Sequence, residues 1–413
     1  MKTDTPLRAV YFIPDTETEL ISVAMIVLAG EVDLEGPEGL SHFLEHLVFW
    51  HADNVKGEVI HAREGNAWVN GLVSSYYNRG ESTELHDMLR FARRVLTPPK
   101  LNNVFMKGER DVVSREYDYR VLENPDWRVF TDVRKQLYAN HPVSRSVIGT
   151  PESIASLTIP HAMAFHKQFY SAENSILLIS GNVKSEKLVE DIEFVFQNDV
   201  SEISDAASFH PQDWRKWQVT GTLDTTSIYR ESQAKSSRLI HTSLSKWSSE
   251  SGAVQDEYTL QFAQRLLESA LPGSLARPLR LDNFIISEYQ LGIWKLLEDQ
   301  VELYVFAWPD EGVTMDEASA SLKAALKAIG ENGVPVKSFE RIKKRWLQTA
   351  RREGQNANVH LWRAWHHITL GLTPIGQEDH LRHIEAVSLS DLNDLLTALG
   401  SPQRNAVGLI KGE

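Results

Sequence analysis

The sequence predicts an α+β chain of two structurally similar halves, each an antiparallel-rich sheet covered by helices. Three observations carry that prediction. The chain has 413 residues, more than a single hydrophobic core usually serves. Its apolar runs fall twice into one order: strands, a helix, strands, several helices and a closing strand. Between the two series, from about Asn198 to Thr220, lies a polar stretch with Ser, Asp, Gln and Pro and no periodicity. The expected division is a first domain over 1–205, a linker over 206–220 and a second domain over 221–413.

Each element has its own reason. The apolar runs Leu7–Ile13 and Leu20–Ala29 flank the polar Pro14–Glu19 and predict a hairpin. The breaker cluster Gly36-Pro37-Glu38-Gly39 precedes a helix over Leu40–Trp50. The stretch Ala67–Tyr77, with valines and tyrosines among small residues, predicts one strand. Helical periodicity follows over Glu84–Leu96, Val104–Arg120, Trp127–Tyr138 and Ile159–Phe169. A buried-type strand comes at Ser175–Ser180 and a helix at Glu186–Phe196. In the second half a strand at Arg238–Ser243 leads to a helix over Tyr258–Ser269, then to strands at Phe284–Ile293 and Val301–Trp308. The remainder is helical from Met315 to Leu399 and closes on a strand at Asn405–Ile410.

Composition removes several function classes. With 43 basic and 56 acidic residues the net charge is −13, and no block of Lys or Arg is present to neutralise nucleic-acid phosphates. Cysteine is absent, which excludes disulfides, thiolate metal sites and a cysteine nucleophile. Any metal would rest on carboxylates and the 15 His. The N-terminus lacks the pattern of a signal peptide, and the longest apolar run, Ile21–Ala29, is too short to span a membrane. A cytoplasmic protein is expected.

The chemistry is concentrated in Ser41-His42-Phe43-Leu44-Glu45-His46-Leu47. On a helix His42 and His46 stand about 40° apart and one turn from each other, so both imidazoles reach a single ion. Glu45 lies about 60° to the other side of His42, within reach of a metal-bound water without being a ligand. This is the inverted zinc-protease pattern H-x-x-E-H. Alone it is balanced between a metal site and a chance arrangement on a buried helix. Burying three ionisable groups side by side is nevertheless costly unless something binds them. Downstream, Glu109 and Glu116 stand on nearly one helical face, about 10 Å apart along the axis. Only one of them can hold an ion directly, with the other behind it.

With these residues on the page, the chain resembles the pitrilysin, insulysin and mitochondrial processing peptidase family of inverzincin zinc peptidases, in its short bacterial form. The resemblance runs over about residues 7–200. It is carried by Gly39-Leu40-Ser41-His42-Phe43-Leu44-Glu45-His46 and by Glu109-Arg110, Val112-Val113 and Glu116. Gly65-Asn66-Ala67, Ser75-Tyr76, His141-Pro142, Val147-Ile148-Gly149-Thr150-Pro151-Glu152, Phe169-Tyr170 with Asn174, and Gly181-Asn182-Val183 add to it. It implies that His42, His46 and Glu116 ligate Zn²⁺, that Glu45 is the general base and that Glu109 supports the ligands from behind. It implies further that Asn66 and Ala67 lie on an edge strand that holds substrate by main-chain pairing.

The second half resembles the family less. Members that act alone carry there an Arg and a Tyr seven residues apart that contact substrate. The nearest equivalents are Arg280 and Tyr289, nine apart, and they read equally well as ordinary surface and core residues. His366-His367 and His380 with His383 read as solvated helix faces, and Trp362 and Trp365 as packing between helices. The function implied is a zinc endopeptidase that cleaves unfolded oligopeptides or a precursor or leader peptide. Short members form half of a clamshell chamber, which implies a homodimer or a heterodimer with a related zinc-less subunit. The competing reading is a non-catalytic scaffold subunit. Neither nucleic acid nor membrane is an expected partner.

Overall fold

All seven residues of strand β7 (Ser175–Gly181) are buried, and the first sheet of this computed structural model is built around that strand. The structure describes residues 1–55, 58–59, 64–197, 214–231 and 236–412. Strand β1 (Ala9–Pro14) runs parallel to β7 on one side, and β2 (Leu20–Val27) antiparallel on the other. Next come β6 (Ser74–Glu81) and, at the edge, β5 (Glu64–Val69), both antiparallel to their neighbours. The two-residue strands β3 (Asn54–Val55) and β4 (Glu58–Val59) pair with each other.

Two expectations are corrected here. The runs now seen as β1 and β2 do not form a hairpin, because β7 lies between them. The wholly buried β7 inserts between them, and the connection crosses its end, where the Asp15 N–H donates to the Gly181 carbonyl at 3.0 Å. The single strand expected over Ala67–Tyr77 is two strands joined by a tight turn. The Asn70 side chain accepts from the N–H groups of Leu72 and Val73 at 2.7 and 2.9 Å. Asn70-Gly71 is a turn signal that the apolar pattern had overridden.

One face of this sheet packs on α1 (Leu40–Asp53), α2 (Leu85–Val95), α6 (Ile159–Phe169) and α7 (Ser185–Gln197). Phe43, Leu44, Leu47, Met25, Leu177 and Ile179 are fully buried in that layer. Helix α3 (Asn103–Tyr117) lies beside α1. It is followed in the chain by α4 (Pro125–Tyr138) and the short α5 (Pro151–Ser156). The opposite face presents Ile26, Ile176 and Leu178 to Ala364 and Ile368 of α11 (Ala357–Thr369).

The second sheet repeats the first strand for strand. Strand β8 (Leu223–Glu231) is parallel to β12 (Arg404–Gly412). Then β9 (Arg238–Lys246), β11 (Gln300–Pro309) and β10 (Ile286–Trp294) follow, all antiparallel. The order β10-β11-β9-β12-β8 thus mirrors β5-β6-β2-β7-β1, which establishes the duplicated α+β architecture. Strand β8, Leu-Asp-Thr-Thr-Ser-Ile-Tyr-Arg-Glu, was missed because it carries little apolar alternation. The helices α8 (Ala253–Leu267), α9 (Met315–Asn332), α10 (Val336–Arg352), α12 (Gln377–Ala386) and α13 (Leu389–Gly400) surround this sheet's core.

The chain packs as two compact units that exchange helices relative to sequence order. The first unit is Met1–Asp118, Arg145–Gln212 and Asn356–Pro374; the second is Tyr119–Ser144, Asp213–Gln355 and Ile375–Glu413. Helix α4, early in the chain, therefore belongs with the second sheet. A Cβ added to Gly408 of β12 would stand 2.3 Å from Val129 Cγ1 of α4, so glycine is what allows the helix so close. Glu302 on β11 has no solvent exposure. It accepts two bonds from Arg134 at 2.7 and 2.9 Å and one from the Tyr138 hydroxyl at 2.8 Å. Charge-assisted bonds in this number offset the burial of the pair. Residues 198–213, which include 206–213 of the expected linker, lie outside the described residues. Residues 214–220 pack into the second unit, where Trp214 is buried and Val219 exchanges two 2.9 Å main-chain bonds with the Gln300 amide. Among the described residues no helix is long and apolar enough to cross a membrane.

Candidate metal centre

Helix α1 begins where Gly39 lets the chain turn, with φ +85°, and its apolar face of Phe43, Leu44, Leu47 and Val48 is wholly buried. That anchoring fixes the opposite side, which carries His42, Glu45 and His46. Helix α3 is started by Asn102, whose side chain accepts from the Phe105 N–H at 2.9 Å. Val113 and Met106 bury its inner side, and Arg110 donates to the Leu157 carbonyl at 2.6 Å. Glu109 and Glu116 then face α1.

Among the described residues one group of side chains has the composition and spacing to hold a metal ion: His42, His46 and Glu116, whose donor atoms all lie within 4.8 Å of one another. The Glu116 Oε2 stands 3.2 Å from His42 Nε2 and 3.6 Å from His46 Nε2. Ligands held tetrahedrally at about 2.0–2.1 Å from zinc stand about 3.3 Å from each other. The donor chemistry suits zinc, the two spacings to Glu116 lie close to that value, and three ligands would leave a fourth position for water. Glu45, buried beside His42, has its Oε2 4.0 Å from His42 Nε2. On the far side of the His46 ring, Nδ1 lies 3.2 Å from Glu109 Oε2, so the carboxylate fixes the ring with Nε2 toward Glu116.

The electrostatics favour positive charge at this point. Burial opposes protonation of His46, but its hydrogen bonds to Glu109 and Glu116, with the charges of Glu45 and Glu116, raise its pKa to about 10. Hydrogen bonds from His42 and His46 hold Glu116 well below the usual carboxylate range. Three carboxylates surround two imidazoles, so with neutral rings the cluster carries −3, and a divalent ion would reduce that to −1.

The other predicted residues fall as follows. Asn66 and Ala67 lie on the edge strand β5, in the same unit as the metal cluster. The Ala67 N–H is taken by the side-chain oxygen of its neighbour Asn66 at 2.9 Å. Arg280 and Tyr289 lie in the second unit. Arg280 is exposed, and the Tyr289 hydroxyl donates to the Leu267 carbonyl at 2.7 Å. Burial raises the Tyr289 pKa, and Arg280 partly offsets it, so the two are electrostatic neighbours. Helix α8 follows β9 as α1 follows β2, and it contains no histidine.

Three of the other histidines singled out in the sequence, His367, His380 and His383, are held by neighbouring groups. His367, read from the sequence as solvated, is buried and contacts the Thr373 carbonyl at 3.1 Å. His383 pairs with the Gln255 side chain at 2.8 Å, and Tyr258 contacts His380. Trp365 packs on Trp68 with ring centres 4.1 Å apart, while Trp362 is largely exposed.

Comparison with known proteins agrees with this architecture. Residues 10–151 match the family model described as insulinase, peptidase family M16, and residues 156–345 match that of the peptidase M16 inactive domain. The uncharacterized zinc protease YmfH of Bacillus subtilis is 29% identical over 167 residues, which cover 38% of this chain and 36% of that protein. The mitochondrial-processing peptidase subunit beta of Dictyostelium discoideum is 24% identical over 197 residues, covering 44% of this chain and 40% of that one. Each match thus spans less than half the relative's length. The crystal structure of a protease from Helicobacter pylori superposes over 100% of this chain and 98% of its own, with a TM-score of 0.83 at 16% identity. With two family models in succession over most of residues 10–345, the chain belongs to peptidase family M16, the pitrilysin family.

Proposed function

We propose that the chain is a zinc metalloendopeptidase that hydrolyses a peptide bond of an extended oligopeptide, precursor or leader peptide. The observation that carries this reading is the convergence of His42, His46 and Glu116 within 4.8 Å, with Glu45 buried at its side but outside the donor set. Zinc held there would polarise a peptide carbonyl and acidify a bound water. Glu45 then has the proton-handling part: it takes the proton from the attacking water and delivers it to the leaving amine as the C–N bond breaks. Glu109 keeps the His46 ring turned to present Nε2. The edge strand β5 offers main-chain groups to an extended peptide, a mode that reads little sequence. A pairing strand would displace the Asn66 side chain from the Ala67 N–H.

The dimer belongs to the same proposal. The Tyr289 hydroxyl is committed to a carbonyl of its own unit, which supports a partner subunit as the source of substrate-contacting groups equivalent to an Arg–Tyr pair. Full peptidase activity of the isolated chain, abolished by Arg280→Ala, would sink the heterodimer. The peptidase reading is tested by Glu45→Gln, which should retain zinc, read by metal analysis, and lose cleavage of a fluorogenic peptide. If wild-type protein cleaves no peptide in any combination with candidate partners, the reading fails.

A further inference from the structure

Glu31 is fully buried and has no place in the metal cluster, yet five contacts converge on it. Its carboxylate accepts from the Gly39 N–H at 3.0 Å, the Ser41 hydroxyl at 2.6 Å and the Ser41 N–H at 3.4 Å. It also accepts from Arg145 at 3.1 Å, which donates in turn to the Gly36 carbonyl at 2.8 Å. Its own N–H reaches back to the Asn70 carbonyl at 3.4 Å, and the next N–H, of Val32, to the Gly71 carbonyl at 3.0 Å. The main chain at Glu31 is thus fastened to the turn that joins β5 to β6. Its side chain is fastened to the first turn of α1, one residue before His42.

Glycines make this close fit possible. A Cβ at Gly30 would lie 2.6 Å from Asn70 and Gly71 backbone atoms, and one at Gly39 would lie 2.9 Å from the Gly149 Cα. At Gly149, with φ +79°, a Cβ would lie 2.7 Å from the Glu38 carbonyl oxygen. The loop is therefore held against residues 145–149 as well as against the β5–β6 turn.

We propose that Glu31 is a positioning residue that sets the register between the metal helix and the edge strand β5. The inference rests on the peptidase reading above. A peptide lying on β5 is placed by main-chain bonds, whereas the proton-handling Glu45 and the metal donors are placed by α1. The distance between the two frames decides whether a bound peptide bond meets the reacting groups. An error of about 1 Å in such a distance can cost about a hundredfold in rate. Glu31 is held in both frames, by its main chain at the β5–β6 turn and by its side chain at the start of α1.

The test is Glu31→Gln, which keeps the size but gives up the charge held by Arg145 and by the Ser41 hydroxyl. Three quantities are read on the full-length protein: zinc affinity of the metal-free form by chelator competition, kcat and KM on a fluorogenic peptide, and the melting temperature. The expected result is a kcat lowered about 10–100-fold, with KM within about threefold of wild type and zinc affinity reduced by up to about tenfold. If Glu31→Gln does not fold, Ser41→Ala serves instead. It removes only the shortest contact and should lower kcat by about 3–10-fold at constant KM. A lower melting temperature with wild-type kcat and zinc affinity assigns Glu31 a purely structural role and overturns the inference. Wild-type protein that binds no zinc overturns the peptidase reading itself. Wild-type protein that binds zinc and cleaves, with the variant equal to it in both, overturns this inference alone.

Discussion

Glu109 reaches the nitrogen of the His46 ring opposite the one that faces Glu116, at 3.2 Å. The carboxylate therefore fixes both the tautomer and the rotation of a candidate metal-donor ring. Replacing it with glutamine is expected to weaken zinc binding by about 10–100-fold, while the helix that carries it stays folded. Chelator competition monitored by absorbance gives the affinity, and an unchanged constant would remove Glu109 from the site.

The pH dependence of stability follows from buried neutral histidines. Burial lowers the pKa of His166 and of His241 to about 4, from an ordinary 6.5. Between those values the unfolded chain binds more protons than the folded one, so stability falls as pH drops from about 6.5 to about 4. Glu31 has the opposite sign. Burial raises it to about 7, so its contribution is fully present below about 4.5 and is lost as pH rises through 7. Two histidines outweigh one carboxyl, and thermal unfolding should give a lower Tm at pH 5 than at pH 7. His241→Leu should flatten that slope; a slope as steep as in wild type would refute the assignment.

The pair Arg134–Glu302 gives a sharp stability test. Glu302→Ala leaves a guanidinium buried without its carboxylate, a loss of about 3–5 kcal/mol. Removing both charges with Arg134→Met and Glu302→Met should cost markedly less, because no uncompensated charge remains. Urea denaturation of the three proteins decides it: equal losses for the single and double variants would show that the pairing carries no weight.

Two glycines should respond in opposite directions to alanine. At Gly408 the new methyl would meet Val129 at 2.3 Å, an overpacking expected to cost about 1–3 kcal/mol. Gly108 sits inside α3 with nothing within 4 Å of such a methyl, so alanine there should stabilise by about 1 kcal/mol through helix propensity. Chemical denaturation measures both, and two changes of the same sign would contradict the packing described.

The sequence pointed to the candidate metal cluster because its residues are local: His42, Glu45 and His46 share one helix, and Glu116 shares another with Glu109. Helix limits were equally legible, as with Ile159–Phe169, where Thr158 caps the start and accepts from the His161 N–H. Tertiary choices were not. Whether Leu7–Ile13 pairs with Leu20–Ala29 depends on a strand about 150 residues downstream, which no local pattern reports. Glu31 stayed hidden for a related reason. Its importance comes from partners at Gly39, Ser41, Asn70 and Arg145, and only the fold brings them together.

The exchange of α4 and α11 between units has a consequence in time. Arg134 leaves the ribosome 168 residues ahead of its partner Glu302, an interval of roughly 10–30 s at about 5–20 residues per second. Throughout it Val129, Phe130 and Val133 of α4 lack the sheet that later buries them, and the first sheet still lacks α11 over one face. The first unit cannot complete its packing until α11 is made, and α4 waits until the second sheet is made. The nascent chain must therefore hold two unfinished apolar surfaces at once, and that interval is when a chaperone or an aggregate competes for it.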